Sequence, residues 1–148
     1  MTRTSAREIV VRLCFSISAT NESAEALLEH TFDEDYYESL AKEDELFSEY
    51  PDEKQLDYIK KMVSGISTHS IELDDYIEKY SKGWQFSRIS RTALAIMKTA
   101  MFEVLYMPDV PNGVSINEAV ELAKKYDGTD TASFVNGILG SFAKNETV

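Results

Sequence analysis

Three arginines, Arg3, Arg7 and Arg12, stand in the opening stretch RTSAREIVVRLCF with a single acid, Glu8, among them. Grouped guanidinium groups can bind anions, phosphates above all, because each presents a rigid fork of N–H donors. Arg12 follows Glu8 by four residues, so an intrahelical ion pair worth about 0.3–0.5 kcal/mol accounts for it equally well. Arg3 precedes the expected start of the helix and has no local partner. Arg7 falls in the expected first turn, where the helix dipole disfavours a cation, which points to an external anion. Lys124 and Lys125 form a second basic spot, with Glu121 four residues before Lys125 as its ordinary partner.

Other reacting constellations are missing from the pattern. His30 and His69 are the two histidines, and neither has a cysteine or carboxylate at metal-ligand spacing, so no metal and no cofactor are expected. The glycines of GISTHS and NGILG lack the strand-turn-helix setting of a phosphate-cradling loop. Gly137 and Gly140 are read instead as places where a neighbouring helix comes close, and Asp74 and Asp75 as a solvated face. Cys14 is the one cysteine. It cannot close an internal disulfide, which suits a reducing cytoplasm. The chain is read as non-catalytic.

These groups must be positioned by a chain of 148 residues with net charge −11, expected to form one domain over residues 1–148. A net-negative protein should repel a polyanion, yet the acidity is regional. Residues 22–57 hold 14 of the 26 acids against Lys42 and Lys54, a local charge of −12; the remainder carries 12 acids and 13 bases. Screening confines fields to about 8 Å at physiological salt, so a basic patch can act locally. No apolar run is long enough to span a bilayer, and Arg7, Glu8 and Arg12 interrupt any signal-like core at the N-terminus.

Hydrophobic spacing gives helix after helix and no sustained alternation, hence an all-α fold. Ser5 to Glu8 fits a capping box ahead of Ala6, Ile9, Val10, Leu13 and Ile17, with Val11, Cys14 and Phe15 as a second stripe. Asn21 is the expected cap of the next helix. A short helix and loops are expected over 33–53, and long helices from Asp52, over HSIELDDYIEKY, and over Ser87–Met107. After PDVPNG, Ser115 to Glu118 reads as another capping box, with Val114 stapling on Ala119. Gly128 should end that helix and Thr131 cap the last one, along whose face Phe134, Ile138 and Phe142 recur.

VSINEAVELAKKY followed by FVNGIL resembles the C-terminal signature of the NusB family of transcription antitermination factors. VSGISTHSIELDDYI leading to Trp84, then SRI and a long apolar helix ending FEVLYMPDVP, is similar to the same family, as is AREIVVRLCF. The resemblance covers nearly the whole chain in order and weakens across 18–55. It implies about seven helices in two small helical subdomains, with no enzymatic activity. It also implies binding of boxA-type single-stranded RNA together with NusE, a small-subunit ribosomal protein, within the transcription elongation complex. Arg3 and Arg7 match the family's arginine-rich helix start, with Thr4 and Ser5 where further arginines can occur. Asp130 to Phe134 match its second RNA-contacting segment, beside Lys124.

The partner surface implied by the resemblance takes in Phe15, Arg12, Ser87 and Ala93. Phe15 stands where the family has a tyrosine, and Ala93 and Leu94 where it has an acid and then a base. A homodimer of the free protein stays open. The acidic 22–57 segment is expected to face away from RNA. The alternative is a helical protein–protein interaction module without direct RNA contact, with Arg7→Glu as the discriminating variant. NusB-like domains also occur fused to ribosomal RNA cytosine methyltransferases, but this chain shows no methyl-donor domain.

Overall fold

A computed structural model describes residues 1–83 and 88–147. Among these residues the chain forms eight α-helices and one 3-10 turn, with no strand. It divides into two compact units, Met1–Ser67 and Thr68–Val148. No helix among the described residues is long and apolar enough to cross a membrane.

The first unit is built on α1 (Arg3–Thr20), α2 (Ala24–Thr31), α3 (Glu34–Leu40), the 3-10 turn Glu45–Phe47, and α4 (Glu53–Thr68). The start of α1 lies earlier than the capping-box pattern suggests. Thr2, not Ser5, is the N-cap, its side chain accepting from the backbone N–H of Ser5 at 3.0 Å. Both residues are hydroxylated and three apart, so the sequence pattern alone cannot separate them. Asn21 ends α1 instead of starting α2: it sits at φ 61, ψ 23, donates its N–H to Ile17 O, and leaves Ser23 to cap α2. Asparagine tolerates that left-handed turn better than most residues.

Ile9, Val10 and Leu13 of α1, Leu27 and Leu28 of α2, and Ile59, Met62, Val63 and Ile66 of α4 are buried. The acidic stretch contributes an aromatic cluster of its own. Tyr37 is buried and its ring meets Phe32 at 5.7 Å, Phe47 at 5.5 Å and Tyr50 at 5.0 Å between centroids. Tyr37 donates its hydroxyl to Glu49 O and Tyr50 donates to Phe32 O, so two otherwise costly polar atoms are satisfied and the loop 41–52 is tied to α2 and α3.

The second unit comprises α5 (Ser70–Tyr80), α6 (Arg91–Tyr106), α7 (Asn112–Asp127) and α8 (Thr129–Glu146). Ser90 caps α6, its hydroxyl accepting from Ala93 N at 3.0 Å. That helix buries residues around most of its girth, from Ala93 through Phe102, as its near-continuous apolar run requires. Pro111, whose fixed φ suits a helix start, precedes α7, so Ser115 is not a cap. It faces inward and donates its hydroxyl to the fully buried carboxyl of Glu103 on α6 at 2.7 Å. Val114 is exposed, which does not support a staple on Ala119.

Gly128 ends α7 as expected, at φ 92, a conformation that strains any residue with a side chain. The same glycine immediately starts α8, so Thr131 lies inside that helix and caps nothing. Gly137 and Gly140 are exposed with open space where a Cβ would sit; they are not points of close helix approach.

Candidate nucleic-acid interface

The opening arginines have three different fates, all decided within the first unit. Arg3 occupies the first position of α1, not a position before it. Its Nε donates to Gln55 Oε1 at 2.7 Å, and its guanidinium lies 3.9 Å from the Tyr58 ring centroid. Both partners come from α4 and both are neutral. Among the described residues Arg3 has no carboxylate partner, so it is oriented while its charge stays available.

Arg7 departs from the expectation. It is in the second turn of α1 and only 4% exposed, with its guanidinium 5.9 Å from the Tyr58 ring. A side chain on the inward face of α1 cannot serve as the solvent-facing phosphate contact that its type suggested. Arg7→Glu would place a carboxylate in that buried position, so it tests folding before it tests RNA binding.

Arg12 forms an ion pair with Asp44 across 32 residues of sequence, its guanidinium 5.8 Å from the Phe47 ring. Asp44 also caps the 3-10 turn, accepting from Leu46 N at 2.9 Å. The acidic stretch therefore folds back onto α1 at this point. Arg12 is held by that stretch.

The second unit holds a separate cleft of about 360 Å³ lined by Arg88, Ile89, Ser90, Ala93, Asp127, Asp130, Thr131 and Phe134. It forms because α7 stops at Gly128 and α8 starts at once, bringing the end of one and the start of the other beside the cap of α6. Ser90 donates its hydroxyl to Asp127 Oδ2 at 2.7 Å and so links the two sides. Ile138 and Phe142 are buried, whereas Phe134 is half-buried and lines the cleft. Asp130 is exposed there. Lys124 is exposed in the last turn of α7, where a cation complements the helix dipole.

Arg88 and Ser90 were missed as site residues, and Thr131 was reached only as part of the Asp130 to Phe134 match. A lone arginine in a connecting segment carries no periodic signal, and Thr131 looked like a cap. Arg88 is exposed and has no ion-pair partner among the described residues. The cleft thus combines a cation, hydroxyl and carboxylate hydrogen-bonding groups, and a partly exposed ring. That set can hold a phosphate and stack a base.

Of the residues assigned to a protein partner, Phe15 is 39% exposed on α1, a large apolar side chain left to solvent. Arg12 is engaged as described. Ala93 is 2% exposed and lines the cleft, so it cannot be an open docking contact. Ser87 and Trp84 lie outside the described residues. No group of histidine, cysteine and carboxylate residues able to hold a metal occurs among the described residues.

Comparison with known proteins places this geometry in context. Residues 4–144 match the NusB family model. The chain is 38% identical over 140 residues to the transcription antitermination protein NusB of Clostridium botulinum, covering 95% of this chain and 98% of that protein. It is 38% identical over 144 residues to NusB of Acetivibrio thermocellus, covering 97% and 90%. Among solved structures it resembles T. maritima NusB with a TM-score of 0.80 and 29% identity, over 98% of this chain and 92% of that one. The chain belongs to the NusB family of transcription antitermination proteins.

Proposed function

We propose that this protein binds single-stranded RNA of the boxA type as a non-catalytic subunit of a cytoplasmic antitermination complex. NusE is its proposed partner, and the transcription elongation complex its destination. The observation that carries the reading is the cleft of the second unit, where the half-buried Phe134 ring lies with Arg88, Asp130 and Thr131. Exposed Lys124 of the same unit supplies further charge, and within the first unit Arg3 has no carboxylate partner among the described residues. No bond-making group is needed. Cations neutralise phosphates, the ring offers a stacking face, and hydroxyl and carboxylate oxygens meet base edges.

The test is titration of a boxA-containing ribosomal RNA leader with this protein at two salt concentrations, with and without NusE. Weak, salt-sensitive binding by the protein alone and tighter binding with NusE support the proposal. A leader ignored under every condition defeats it. The second reading, a helical interaction module without RNA contact, is favoured by the burial of Arg7 and the pairing of Arg12. Arg3→Glu separates the two: unchanged leader binding by the NusE complex would support the interaction module.

A further inference from the structure

Two clefts of the first unit share one wall, the Tyr50 side chain. On one side is a space of about 340 Å³ lined by Tyr37, Phe47, Tyr50, Glu34 and Glu38. On the other is a space of about 610 Å³ with Glu25, Glu29, Asp33 and Lys60 around Phe32 and the same tyrosine. Tyr50 is 37% exposed, and its hydroxyl is fixed by Phe32 O at 2.6 Å, so the ring is held upright between the two spaces. Its edge-on packing against Tyr37, with rings at 69°, further sets that orientation.

The acids around these rings, Glu25, Glu29, Asp33, Glu34 and Glu38, form no ion pair among the described residues, and Lys60 is the one base lining either cleft. Glu34 and Glu38 are four apart on α3, and Glu25 and Glu29 four apart on α2, arrangements that cost helix stability when both members are charged. The stretch that holds them carries −12. Ring faces beside carboxylates that form no ion pair are what a guanidinium recognises: it stacks on the ring and donates its fork to the acids. The same field repels phosphate, so nucleic acid is the wrong occupant.

We propose that the paired clefts astride Tyr50 bind an arginine-bearing segment of a basic protein. One arginine enters between Tyr50 and the Glu34–Glu38 pair, and a second reaches the Glu25–Glu29 side. This surface is separate from the RNA-binding reading and does not depend on it.

A short Gly-Arg repeat peptide, titrated into the full chain and followed by fluorescence anisotropy, is the probe. Its citrulline counterpart, equal in shape but uncharged, is the reference. Saturable binding of the arginine peptide alone is expected. Glu34→Gln with Glu38→Gln should weaken it about tenfold, as charge-assisted hydrogen bonds are lost. Tyr50→Leu should weaken it about threefold, while Tyr50→Phe, which loses the bond to Phe32 O but keeps the ring and its packing on Tyr37, should weaken it less than Tyr50→Leu does. Glu78→Gln with Glu121→Gln removes equal charge from exposed acids of the other unit and should change binding less than about twofold. Equal binding of the citrulline peptide, equal weakening by the control pair, or no saturable binding would each overturn the proposal. Leader RNA binding, measured on the same samples, stays intact in that event, so failure here is distinct from failure of the RNA reading.

Discussion

Arg3→Gln should flatten the salt dependence of RNA binding by one phosphate's worth, whereas Arg12→Gln should not. The Arg3 guanidinium is held by an amide oxygen at 2.7 Å and a ring centroid at 3.9 Å, neither of which cancels its charge. Each phosphate neutralised on a single strand contributes about 0.7 to the slope of log affinity against log salt. Over a fourfold rise in salt, from about 50 to 200 mM, that increment is about a 2.6-fold change in affinity. Arg12 already has Asp44, so it releases few counterions from RNA and its removal should alter the slope by less than about 0.2. The assay is anisotropy of a labelled boxA RNA at several salt concentrations within that range, for wild type and both variants. An Arg3→Gln protein that binds more weakly with an unchanged slope would show that Arg3 acts by holding Gln55 and Tyr58. Equal flattening by Arg12→Gln would show that Asp44 gives way to phosphate.

Ser115→Ala removes the 2.7 Å donor to buried Glu103 and should cost about 1–3 kcal/mol in urea unfolding; a loss below about 0.5 kcal/mol would show that Glu103 is satisfied without it. Phe134→Leu keeps apolar volume but loses the stacking face, so leader affinity should fall about fivefold or more with an unchanged melting temperature. Tyr37 is pushed up to about 12, chiefly by burial and then by Tyr50 and Glu49. A pKa raised on folding contributes stability that is complete below about pH 10, the unfolded value, and is lost as pH rises toward about 12. Urea midpoints should therefore drop through that window, and drop less in Tyr37→Phe.

The helices were legible because their apolar spacing is local, and even the acidic stretch announced one short helix. Caps were less legible. Thr2 and Ser5 both satisfy the chemistry of an N-cap, and only the 3.0 Å bond from Ser5 N to Thr2 Oγ1 decides between them. Ser115 looked like a cap because the signature says nothing about Glu103 waiting on another helix. The site was least legible where burial decides function. Arg7 and Arg3 differ by one turn of α1, yet one is enclosed and the other is not. The ring that both meet, Tyr58, comes from α4. Arg12 had a local partner available in Glu8, and sequence spacing could not show Asp44 folding back to it. Phe134 was ambiguous for the same reason: four-residue spacing places it in line with Ile138 and Phe142, but the stop at Gly128 opens a cleft at that end of α8.

The surviving cations constrain how recognition can work. Arg3, Arg88 and Lys124 have no ion-pair partner among the described residues. A strand neutralised by Arg88 and Lys124 of the second unit would show a slope of about 1.4, and one neutralised by Arg3 of the first unit about 0.7, shallow for a nucleic-acid binder. Electrostatics of that size cannot hold a chain of net charge −11 on RNA with much affinity, and it carries no sequence information. Under the proposed function, selectivity then comes from bases at the Phe134 cleft, and tightness from surface that a partner adds. Under that same proposal, the exposed Phe15 is the apolar anchor for such a partner. If the partner brings cations of its own, the slope of the complex must exceed that of this protein alone. A complex that binds more tightly with the same shallow slope would instead mean that the partner contributes base contacts or pre-organisation and no phosphate contacts.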